Sequence, residues 1–123
     1  MNVERATQRS DLPERTKEFA LRVIRLYSAL PKSTEAQILG KQVLRSGTSV
    51  GANYREANRA RSKAEFIAKI GDCLKELDET AYWFELLGES GVVSDSKLTS
   101  LRDECDQLLA IFTTISKKSK AGT

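Results

Sequence analysis

A chain of 123 residues with 40% apolar and 30% charged residues is the usual size for one domain around one sizeable core, and two domains are not expected. No apolar run approaches the ~20 residues a bilayer span requires, and the opening stretch MNVERATQRS lacks the apolar segment of a signal peptide, so a cytoplasmic protein is expected. The two cysteines, Cys73 and Cys105, are too few for a disulfide framework, and the net charge of +3 is too small to mark a whole-surface polyanion binder.

Residues 1–12 are expected to form a flexible N-terminus. The first helix is predicted from about Pro13 to Leu30, with Ser10 or Asp11 ahead of it and Phe19, Ala20, Val23, Leu26, Tyr27 and Leu30 at helical spacing. Pro31 ends it, since proline lacks the N–H that would continue the ladder. The second helix begins near Thr34, where the hydroxyl and the Gln37 side chain are placed for a capping box, and runs to about Arg59. Its apolar stripe is Ala36, Leu39, Val43, Gly47, Val50, Tyr54 and Ala57. A second capping box, Ser62 with Glu65, opens the third helix, which carries Phe66, Ile70, Cys73 or Leu74, Leu77, Ala81 and Phe84 on one face and has Gly88 as its predicted stop. The fourth starts at Ser94 or Asp95, and Leu98, Leu101, Cys105, Leu108, Phe112 and Ile115 alternate steps of three and four. Residues 117–123 offer nothing to bury and are expected to form a disordered basic tail.

Four helices joined by short connections pack most simply as an up-down-up-down bundle over residues 13–116, giving an all-α fold. Both cysteines fall on apolar helical faces, at different distances from the turn between the third and fourth helices, and are expected as buried free thiols.

Charge is distributed unevenly. Residues 31–63 hold seven Lys/Arg against two Asp/Glu, whereas residues 64–96 hold two against eight. The second helix is therefore basic and the third acidic. At 100° per residue, Lys41, Arg45, Arg55 and Arg59 fall within roughly 40° to either side of a common direction, opposite the apolar stripe. Thr48 and Ala52 lie between them, and Arg61 and Lys63 extend the charge into the next turn. Phosphate contact is the natural use of such a stripe; the alternative is a solvated face that happens to favour Lys and Arg over Glu. Aromatic residues do not interleave with the basic ones, which weakens any case for base reading.

Gly40, Gly47 and Gly51 each cost helix stability and need a local reason, close packing inside the bundle or a hinge. On the third helix Tyr82, Trp83 and Leu86 point partly or wholly away from the core stripe and form the expected oligomer interface, although a slightly rotated helix would bury Trp83. With no histidine the chain lacks the commonest general base and metal ligand, so no enzyme, no cofactor and no metal site are expected. Acidic pairs such as Glu76 with Glu79, or Asp103 with Asp106, read as solvated carboxylates.

The stretch from Leu44 to Gly91, LRSGTSVGANYREANRARSKAEFIAKIGDCLKELDETAYWFELLGESG, resembles the bacterial four-helix bundle family named after proteins encoded in intervening sequences of 23S rRNA genes. The likeness lies in the order and spacing of Asn53, Glu56, Ser62, Glu65, Phe66, Glu76, Leu77, Glu79 and Thr80. It implies a ring-like homopentamer, and the accessory protein of diversity-generating retroelements, a distant member that binds nucleic acid, raises the expectation of RNA or DNA binding. Two functions follow as expectations. One is a non-enzymatic oligomer that binds nucleic acid non-specifically through Lys41, Arg45, Arg55, Arg59, Arg61 and Lys63. The other is a protein-interaction scaffold whose basic and acidic helices pair between subunits or with a partner.

Overall fold

The computed structural model describes residues 11–122, which form four helices: α1 (Leu12–Ser28), α2 (Thr34–Asn58), α3 (Lys63–Glu89) and α4 (Asp95–Ala121). Each helix packs antiparallel to the next. Leu30 lies against Gly40, Val23 against Gly47 and Thr16 against Gly51 between α1 and α2. Between α2 and α3 the buried Ser46 and Thr80 hydroxyls share a hydrogen bond of 2.8 Å, and the Cys73 thiol donates to the Val50 carbonyl at 3.6 Å. The Cys105 thiol donates to the Leu77 carbonyl, and α4 returns to α1 through Arg15, whose guanidinium donates to both carboxylate oxygens of Glu104 at 2.8 and 3.0 Å.

The core is the inner stripe of all four helices, with Phe19, Phe84 and Phe112 its largest fully buried side chains. Phe19 meets Phe84 edge-on at 6.4 Å between ring centroids, and Tyr54 meets Phe112 at 5.4 Å. Such edge-to-face pairs add about 0.5–1.5 kcal/mol each beyond their buried area. All six of the periodic α4 positions, from Leu98 to Ile115, are buried.

The α2 glycines serve close packing. A Cβ at Gly47 would stand 2.9 Å from Val23 Cγ2, and one at Gly51 would stand 3.2 Å from Thr16 Oγ1. Their absence lets α1 lie nearly on the α2 backbone.

Several ends differ from the sequence expectation. Ser33, not Thr34, caps α2, its hydroxyl accepting from the Ala36 N–H at 3.4 Å, while Gln37 reaches back to the Pro31 carbonyl at 2.8 Å. Ser62 caps α3 as expected, accepting from the Glu65 N–H, but the Glu65 carboxylate closes on the Arg61 N–H one residue further out. The stop of α3 is Gly91 and not Gly88. Gly91 adopts φ +80°, the left-handed conformation that favours glycine, whereas Gly88 remains within the helix, and its lack of a Cβ leaves room for Asp95, whose Oδ1 would stand 2.9 Å from one. At the start of the chain Leu12 is helical and fully buried, so the bundle begins before Pro13; the rest of the expected flexible terminus, residues 1–10, lies outside the described residues. At the other end the expected tail is helical through Ala121. Buried Ile115 and Ser116 anchor this last stretch, no breaker precedes Gly122, and Lys118 and Lys120 sit in the final turn, where cations complement the negative end of the helix dipole.

Candidate functional site

The basic stripe of α2 divides between two flanks of the helix. Arg45 leans toward α3, where its guanidinium donates to Glu76 at 3.3 Å and to Glu79. Those contacts, with Glu79 the stronger, hold its charge above the ordinary arginine range. Three turns further along α2 and on the same flank, Glu56 also turns toward α3 and is held by Lys69 at 2.6 Å, which in turn raises the Lys69 ammonium. Arg45 is thus committed within the chain, contrary to its expected place on a free phosphate-binding face. The physical reason is the angle between positions: Arg45 lies far enough round α2 to reach the acidic helix, and Arg55 does not.

Arg55 and Arg59 face the other flank. With Lys17 and Pro13 of α1 they border a groove of about 410 Å³ between α1 and α2, whose lining includes Thr16, Thr48, Gly51 and Ala52. The groove exists because those lining residues are small: Gly51 lets α1 come close, and Thr48 turns its hydroxyl back to the Leu44 carbonyl at 2.7 Å. Among the described residues no carboxylate forms an ion pair with Arg55 or Arg59. Lys17 has Glu14 at 3.6 Å, both well exposed, a contact of little energetic weight in water. Glu56, the carboxylate in the groove lining, is already neutralised by Lys69.

Lys41, Arg61 and Lys63 are exposed. Lys41 shares the α1 flank of α2 but lies almost four turns from Arg55, beyond the groove. Arg61 and Lys63 stand at the α2–α3 turn, within two turns of Arg59. Sequence reasoning confined to α2 missed Lys17, which comes from the facing helix; its place one turn after Pro13 on the polar side of α1 was the available signal.

Tyr82, Trp83 and Leu86 are not equivalent. Tyr82 is 53% exposed, whereas Trp83 is half-buried against the core with its indole N–H covered and unpartnered, and Leu86 is partly covered. A slight rotation of α3 therefore brings Trp83 inward. Ile38, 58% exposed on α2, lies opposite Gly88, about half a turn beyond Leu86, by the register that sets Ser46 against Thr80. Cys73 and Cys105 are free and buried, and burial pushes both thiols up to about 12, helped by Asp72 for the first and by Asp106 and Asp78 for the second. Among the described residues no group of His, Cys, Asp and Glu is placed to hold a metal ion, and no helix is long and apolar enough to cross a membrane.

Fold and groove together define a four-helix bundle with two exposed arginines, Arg55 and Arg59, on the rim of a cleft along one flank. The chain belongs to the 23S rRNA-intervening sequence protein family, whose sequence profile matches residues 8–114. It is also similar to a crystal structure of a protein of unknown function from the S23 ribosomal protein family of Bacteroides thetaiotaomicron, with 38% identity and a TM-score of 0.81 over 85% of this chain and 97% of that one. No curated protein matches the chain.

Proposed function

We propose that this protein is a cytoplasmic, non-catalytic nucleic-acid-binding protein that takes hold of RNA or DNA through phosphate contacts in the α1–α2 groove. The observation behind this reading is the pair Arg55 and Arg59, exposed and free of ion pairs among the described residues, facing Lys17 across a cleft lined by small residues. Small side chains let an elongated polyanion come near the backbone, and Arg and Lys supply charge without sequence preference. Arg61, Lys63 and Lys41 extend the field on either side; Arg45 contributes only through its surroundings. Self-association through Tyr82, Ile38 and Leu86 into a ring-like homo-oligomer, a pentamer by family resemblance, would repeat the groove and add avidity.

The scaffold alternative requires α2 to find acidic partners outside the chain. Arg45 with Glu76 and Glu79, and Glu56 with Lys69, already satisfy α2 against its own α3, which favours the nucleic-acid reading. The test is a salt-varied binding titration with a fluorescent RNA hairpin. Arg55→Ala with Arg59→Ala should flatten the slope of log K against log salt by about 2, close to one per lost phosphate contact. Undetectable wild-type binding at low salt, or an unchanged slope in the double variant, refutes the proposal.

A further inference from the structure

Among the described residues the exposed large apolar side chains are Leu21 and Ile24 on α1, Ile38 on α2 and Tyr82 on α3. Leu21 and Ile24 take no part in the groove. Helices α1 and α3 stand diagonally across the bundle, since α2 and α4 each pack between them. Their outer faces therefore look to opposite sides, and no single neighbour covers both.

The two faces share one layout with opposite charge. On α1, Lys17 and Arg25 stand one turn to either side of Leu21, with Ile24 beside it; at 100° per residue the four fall within about 100° of arc, opposite the buried Phe19 and Val23. On α3, Asp78 and Glu85 stand one turn to either side of Tyr82, with Leu86 and Glu89 beside it, again within about 100° and on the side away from the buried Leu77 and Phe84. Along the helix axis the two cations are about 12 Å apart and the carboxylates of Asp78 and Glu85 about 10.5 Å. One face can lie on the other with both charges matched, in either direction.

Charge decides which face meets which. Asp78, Glu85 and Glu89 are exposed and, among the described residues, form no ion pair. An α3 face laid on its own copy would press these carboxylates together, and like charges set against each other reject a partner. Lys17 has Glu14 at 3.6 Å and Arg25 has Glu18 at 2.9 Å, but all four side chains are more than half exposed. Such surface pairs are weak and exchange readily for a partner's carboxylate.

We infer that the protein self-associates head to tail, the outer face of α1 seating Leu21 and Ile24 on Tyr82 and Leu86 of the next copy, with Lys17 and Arg25 against that copy's Asp78 and Glu85. A contact between two different patches repeats from copy to copy and forms a ring where the rotation closes. The inference rests on the self-association proposed above and supplies the other half of that interface; Arg55 and Arg59, on α2, stay outside it.

The experiment measures native mass by light scattering for the wild type, a Leu21→Glu/Ile24→Glu variant, Tyr82→Glu and an equimolar mixture of the two variants, with helix content checked by circular dichroism. The wild type should be an oligomer and each variant a monomer. The mixture should give a two-chain species, because the intact α1 face of one variant fits the intact α3 face of the other while both remaining faces are blocked. Trp83, the chain's single tryptophan, lies 5.2 Å from Tyr82 between ring centroids, so its emission should move to shorter wavelength on mixing. Where a glutamate variant loses helix, Lys17→Glu/Arg25→Glu and Asp78→Lys/Glu85→Lys change only exposed side chains. Each of these should dissociate the oligomer, and all four changes in one chain should restore it. If the α1 variants still assemble, if the mixture stays monomeric, or if the fourfold charge exchange does not restore assembly, the head-to-tail contact fails and self-association by another route stands. A monomeric wild type refutes both, and the salt titration of the groove is judged separately.

Discussion

Replacing Gly47 with alanine tests how α1 is seated on α2. A Cβ at this position would stand 2.9 and 3.1 Å from the two Val23 methyl groups and 3.3 Å from its Cβ. Val23 is fully buried, and a β-branched side chain on a helix has one strongly preferred rotamer, so it cannot swing aside. The substitution gains about 1 kcal/mol of helix propensity, and overpacking costs about 1–3 kcal/mol. A net loss of about 1 kcal/mol follows. The control is Gly71→Ala on the exposed face of α3, where an added Cβ meets nothing within 4 Å; there only the propensity gain of about 0.5–1 kcal/mol remains. The two variants should therefore differ by about 2 kcal/mol, or roughly 8 °C in Tm for a chain of this size. Thermal unfolding followed by circular dichroism at one protein concentration measures it. A Gly47→Ala protein as stable as Gly71→Ala would show that close helix approach is not why glycine occupies position 47.

Other outcomes follow from the buried groups and the exposed apolar face. Cys73 and Cys105 should resist a thiol reagent at pH 8 in the folded protein and react fully in guanidinium, because burial pushes both thiols up to about 12. The unfolded chain releases those protons near pH 8.5, so it binds fewer protons than the folded one above that point, and stability should fall as pH rises from about 8.5 toward 12. Glu104→Gln removes the charge from a two-pronged contact whose partners are only 21% and 18% exposed; a loss of about 1–2 kcal/mol in urea unfolding is expected. Tyr82→Glu places a charge on the exposed apolar face of α3 and should lower the native mass measured by light scattering, with helix content unchanged.

The α4 register was legible because burial of one face imposes a period that nothing else in the chain mimics, and Leu98 to Ile115 show it without interruption. Ser62 was legible for the same kind of reason, a local hydrogen bond with a local signature. Gly88 and Gly91 were not separable, since either can end a helix; the stop falls on Gly91, which takes the left-handed φ of +80°. The length of α4 was hidden because its last turn is secured by Ile115 and Ser116 upstream, not by its own lysines. In the candidate site the basic character of α2 was visible, but its partition was not. Arg45 is drawn off by Glu76 and Glu79, and Lys17 is supplied by α1, and both depend on which helix lies on which side.

The central claim is that the flank shared by α1 and α2 receives a nucleic-acid backbone. Backbone amide NMR spectra recorded as a short RNA duplex is added test it most directly. Shifts should concentrate at Thr48, Gly51, Ala52, Arg55 and Arg59 and at Lys17 across the groove, and should vanish at high salt. Shifts centred instead on Tyr82 and Leu86 of α3, or none at low salt, would contradict the account.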